Sequence, residues 1–289
     1  MLETRIVDLD IVAARLLDAI AGGESLNATG LTFLLRHYLA TGRDDLGEAI
    51  GDGLAAALPR AAEVEDVTAR AAWLVLFAEA TALSDDLRLI DAARMLVAGL
   101  RDEWPAANSV AEAAASVQAC LRASEVSGVV EPQEIVPAAI EQLERIIGGA
   151  YRPGSGMAST IHGGAHQRGA IADQLHPASA LLTAFEFSGR LPYSMLAEEL
   201  VQPVRRDPAS AGGVRLACEA ARVLCRLATL HSDQRYRGAA IVAEDADYRN
   251  DAARILLVQV APALGGELDE SAAYGVALGE WLATAGNLQ

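Results

Sequence analysis

The chain repeats one shape, an apolar helix, a turn marked by glycine or acidic residues, and a second Ala- and Leu-rich helix, at a period of roughly forty residues. In LTFLLRHYLATGRDDLGEAIGDGLAAAL (31–58), Leu31, Leu34, Leu35, Tyr38 and Leu39 recur at helical spacing and Gly42 stops the helix. Asp44 or Asp45 can cap the next helix, whose apolar stripe is Leu46, Ile50, Leu54 and Leu58. The segment AAWLVLFAEATALSDDLRLIDAARMLVAGL (71–100) does the same, with Ser84, Asp85 and Asp86 in the capping position. A third pair is SVAEAAASVQACLRASEV with PQEIVPAAIEQLERIIGG, which Pro132 opens and Gly148 and Gly149 close. PASALLTAFEFSGRLPYSMLAEELVQPVRR is the fourth. The fifth joins GGVRLACEAARVLCRLATLHSD to YRNDAARILLVQVAPAL through a short helical stretch near Tyr236 to Val242.

One helix remains at each end, 4–23 and 269–286. If the hairpins wind into a ring, these two meet and complete a sixth pair, so that no terminal repeat leaves an apolar face in water. An open solenoid would leave two. The pattern therefore predicts an all-α fold, a closed alpha/alpha toroid of about six hairpins, (α/α)6-like, forming a single domain over residues 1–289. A hydrophobic content of 52% with only 4% aromatics fits close packing of Ala-rich helices.

The formal charge of −16 argues against nucleic acid and anionic lipid, both of which are bound through clustered Lys and Arg. No uncharged apolar run reaches the roughly 18 to 20 residues of a membrane-spanning helix. The acidic start, MLETRIVDLD, does not resemble a signal peptide. Cys218 and Cys225 lie two turns apart on one helix face, too far to bridge, and Cys120 has a similar apolar setting. The expectation is a cytoplasmic chain with three reduced core cysteines, no membrane or nucleic acid partner, and no cofactor.

The turn TGRDDL at 41–46, echoed in HSDQRYRGAA at 231–240, resembles the alpha/alpha toroids of the six-hairpin glycosidase class. Within that class the chain is most similar to N-acylglucosamine 2-epimerase-like proteins and to the helical domain that follows a thioredoxin-like domain in some bacterial proteins. The resemblance implies a central funnel with ligands at its mouth, and it admits sugar epimerases or isomerases, glycoside hydrolases, terpenoid cyclases and proteins without activity. It also implies a thioredoxin-like partner as one possibility.

The stretch GGAYRPGSGMASTIHGGAHQRGA (148–170) interrupts the helices, and seven glycines between 148 and 169 suit a loop that bends around a ligand. With DQLHP (173–177) it supplies Tyr151, Arg152, His162, His166, Arg168, Asp173 and His176. Pro177 suits a first helical position, which would set His176 at a helix N-terminus. Paired imidazoles can exchange protons with a sugar carbon or hydroxyl while Asp and Arg orient the ring oxygens, and the same residues also fit a plain solvated loop. The His162 and His166 spacing suits zinc only on a helix, which Gly163 and Gly164 oppose, so no metal is expected.

A second constellation is Glu219, with Arg215 and Arg222 on the same helix face, either a general base or sugar-hydroxyl acceptor, or a solvated charge ladder. Glu186, between Phe185 and Phe187, is a further acid in an apolar helix, as is Glu79. Tyr274 and Trp281, seven apart, either pack or form a stacking wall for a sugar ring. No carboxylate pair is singled out for glycoside hydrolysis, and the aromatics are thin for a terpenoid cyclase. Two expectations stand: a toroid that binds, epimerises or isomerises a sugar-like ligand through His-based proton transfer, and a non-catalytic helical scaffold.

Overall fold

A computed structural model of the chain describes residues 8–84, 86–162, 168–240 and 246–286. It is predominantly helical, and among the described residues the only strands are two-residue pieces, Tyr151–Arg152 (β1) and Gly156–Met157 (β2), paired antiparallel. The chain divides into two compact units, residues 1–54 with 201–289, and 55–200.

The first unit holds α1 (Leu9–Ala21), α2 (Ala28–Thr41), most of α3 (Asp44–Ala57), and then α10 (Val214–Ser232), α11 (Gln234–Ala239), α12 (Tyr248–Gly265) and α13 (Leu268–Gly286). The predicted punctuation is visible at α2. The Asn27 side chain accepts from the Gly30 amide at 2.9 Å, and Gly42, at a left-handed φ of 69°, ends the helix. Asp44 and Asp45 lie inside the first turn of α3, where they face the positive end of the helix dipole, instead of preceding it as caps. α13 packs against α1, α2, α10 and α12, so within this unit the first and last helices meet as the sequence leads one to expect. α10 buries Val214, Ala217, Cys218, Ala221, Leu224 and Cys225 along one stripe and turns Arg215, Glu219, Arg222 and Arg226 the other way.

The second unit contains α4 (Val67–Ala80), α5 (Leu87–Glu103), α6 (Val110–Ala123), α7 (Pro132–Ala150), α8 (Ala172–Ser188) and most of α9 (Leu191–Arg206). α6 is its centre and packs against α4, α5, α7 and α8. Its many Ala residues let the neighbours approach closely, and Val110, Val117, Cys120 and Leu121 are wholly buried. Asp86 caps α5 by accepting from the Arg88 amide, while Asp85 lies outside the described residues.

Three boundaries differ from the sequence reading. α7 runs through Gly148 and Gly149 to Ala150, because a helical turn persists until the chain enters β1. α11 covers Gln234–Ala239, and Val242 lies outside the described residues. α8 begins at Ala172, so Pro177 sits inside the helix and His176 is no longer at its N-terminus. The side chains of Asp173 and Gln174 bond to the preceding loop and hold a turn of helix ahead of the proline.

Candidate functional site

The glycine-bearing loop of the second unit is strapped down by its own polar residues. Asp173 Oδ2 accepts from Ser159 Oγ at 2.7 Å and from the Ala170 amide at 2.8 Å. Gln174 grips Met157 twice: its Oε1 accepts from the Met157 amide and its Nε2 donates to the Met157 carbonyl, both at 2.8 Å. On the far side, the Ile161 amide donates to the Asn108 carbonyl, the His162 amide to Asn108 Oδ1, and the Val110 amide to the Ser159 carbonyl. Packing, rather than pliancy, explains two of the glycines. A Cβ on Gly149 would stand 2.6 Å from the Ile161 carbonyl oxygen, and one on Gly169 would stand 2.5 Å from Asp173 Oδ2.

The loop's candidate residues are accordingly spent or dispersed. His162 is exposed, and its Nε2 lies 2.8 Å from Arg145 Nη1. The same guanidinium donates through Nε to Gln142 and through Nη2 to the Trp104 carbonyl. Tyr151 donates to Glu199 Oε2 at 2.9 Å, and burial together with that carboxylate pushes the phenol up to about 12. Arg152 reaches back to the Tyr151 carbonyl, and Arg168 is exposed beside Gly156. His176 is half-buried on α8 with no hydrogen bond among the described residues, and His166 lies outside them. No hydrogen bond joins any two of His162, Arg168, Asp173 and His176 among the described residues, and none of their His, Cys, Asp and Glu form a group of three fit for a metal ion. Glu186, on α8, pairs with Arg122 of α6 at 2.7 Å.

In the first unit a different arrangement lies across α2, α10 and α13. Arg36 Nη1 donates to Glu280 Oε1 at 2.7 Å, and Arg222 Nε donates to that same oxygen at 3.0 Å. Arg222 Nη1 also donates to Glu219 Oε2 at 2.8 Å, one turn back along α10. Three helices thus contribute a chain of alternating charge, Arg36, Glu280, Arg222, Glu219. It is partly open to solvent, Glu280 at 26% exposure and Glu219 at 14%. Burial works to raise the Glu280 carboxyl, but the guanidiniums of Arg222 and Arg36 outweigh it and hold the group below its ordinary range. Glu280 is therefore ionised at neutral pH.

Of the sequence candidates, Glu219 belongs to this network. Tyr274 and Trp281 are core residues: Tyr274 is fully buried, and Trp281, 3% exposed, donates Nε1 to the Arg249 carbonyl and lies 4.6 Å beneath the Arg249 guanidinium. Their rings serve packing and offer no wall to a sugar. Sequence reasoning missed Arg36 and Glu280. The available signal was a lone charge inside an apolar helix, in LLRHYLA and in LGEWLA.

Cys218 and Cys225 lie on the buried stripe of α10, and burial pushes both thiols up to about 12 against the opposing pull of Arg222. A thiolate at either is excluded at neutral pH. No protein-family model matches the chain, and the comparison with curated proteins finds no match.

Proposed function

We propose that the repeated hairpins close into an alpha/alpha toroid, a single domain over residues 1–289, that binds a small, uncharged, sugar-like ligand at the charged network of α2, α10 and α13. The observation that carries this reading is the network itself: two guanidiniums and two carboxylates, partly exposed, held on α13 and on the two helices α2 and α10 that pack against it. Their charges sum to zero, so an ion gains little from the four together. Hydroxyl groups, which both donate and accept, suit such a set. The packing of α13 against α1 and α2 supports closure of the ring.

Binding is better supported than epimerisation. Proton exchange near neutral pH needs a group that titrates there, whereas the Glu280 carboxylate of the network is held ionised. The test is a thermal shift of the whole chain against D-glucose, D-mannose, N-acetyl-D-glucosamine and myo-inositol. A ligand that binds only the folded state must raise Tm. A rise with at least one of the four is expected, and none with any of them defeats the reading.

A further inference from the structure

Resting on that binding reading, we infer that Oε2 of Glu280 is the acceptor for a ligand hydroxyl, and that Arg222 is the positioning residue that aims it. Both donors to this carboxylate, Arg36 Nη1 and Arg222 Nε, converge on Oε1. Among the described residues no donor reaches Oε2, although the side chain is a quarter exposed and carries full charge at neutral pH. A carboxylate held through Oε1 by two guanidiniums, with Oε2 left open, presents an acceptor fixed in direction, and the entropy of orienting it is already spent.

The geometry also selects the donor. A carboxylate oxygen only accepts, so the ligand atom facing it must carry a hydrogen. An ammonium would meet the same oxygen but at a few ångströms from two guanidiniums, and that like-charge repulsion offsets the attraction. A neutral hydroxyl escapes the repulsion. Arg222 spans Glu280 and Glu219 with separate nitrogens, Nε and Nη1, a double grip that the single ammonium of lysine cannot reproduce.

The experiment is isothermal titration of wild type, E280Q and R222K, all as the full chain. The probes are the four neutral compounds above and D-glucosamine at pH 6, where its amine is charged. In E280Q the amide oxygen stays with the two guanidiniums and an NH2 takes the place of Oε2, turning an acceptor into a donor. Loss of one charge-assisted hydrogen bond raises Kd about tenfold or more for the neutral compound that binds. R222K, which keeps the charge but loses the double grip, raises it about threefold to tenfold, and D-glucosamine binds more weakly than N-acetyl-D-glucosamine.

Folded E280Q with wild-type affinity overturns the acceptor assignment and leaves the binding reading standing. Should E280Q not fold, unchanged affinity in folded R222K overturns the proposal instead. Failure of every probe to bind wild type overturns both.

Discussion

The strapped loop of the second unit and the three-helix network of the first are both built from polar side chains in a chain dominated by Ala and Leu, and they use those side chains in opposite ways. In the loop each named hydrogen-bonding group has a backbone to hold: Asp173 takes an amide and a hydroxyl, Gln174 takes an amide and a carbonyl, and Asn108 takes two amides. In the network, side chains hold other side chains, and one oxygen of Glu280 is left over. Polarity alone does not mark a site. What separates the two regions is what the side chains hold, the backbone of the loop in one and the side chains of neighbouring helices in the other.

The comparison can be broken first at Gln174. Q174A strips the buried Met157 amide of its side-chain acceptor and leaves the Met157 carbonyl to the Gly169 amide alone, and should cost about 1–3 kcal/mol in urea unfolding while leaving ligand affinity unchanged in the folded fraction. E280L should reverse that balance. Two guanidiniums lose their shared carboxylate at a site that keeps a quarter of its exposure, so the stability loss is smaller, about 1–2 kcal/mol, but calorimetry should register no binding.

Acid titration sharpens the contrast further. Because the folded-state pKa of Glu280 is lowered, its contribution to stability is complete above the ordinary value of 4.5 and is lost as pH falls through the lower folded value. The stability difference between wild type and E280Q, followed by urea unfolding, should be flat from about pH 6 upward and shrink below the ordinary carboxylate range. H162A should have the smallest effect, within about 0.5 kcal/mol, since the side chain is exposed and the backbone bonds to Asn108 remain. A loss of binding in H162A would place the loop in the site and erase the distinction.

The hairpins were legible because each element announces itself twice, by an apolar stripe and by a residue that starts or stops it, as Asp86 starts α5 and Gly42 stops α2. The start of α8 was not. Pro177 looks like a first-turn residue when read locally, and the bonds from Asp173 and Gln174 to Ser159 and Met157 that extend the helix backwards come from residues fourteen to seventeen positions away. The site was half legible for a related reason. Glu219 and Arg222 share one helix, so their spacing shows them as neighbours. Arg36 and Glu280 become neighbours only through the packing of α2 on α13.

The three cysteines fall on both sides of the division, Cys120 on α6 in the second unit, Cys218 and Cys225 on α10 in the first. With each thiol shielded and its pKa near 12, alkylation has to wait for local opening of the helix that carries it. The native chain thus holds its own pair of clocks. Peptide mapping after timed alkylation would reveal whether the two halves breathe together or apart, with no engineered label.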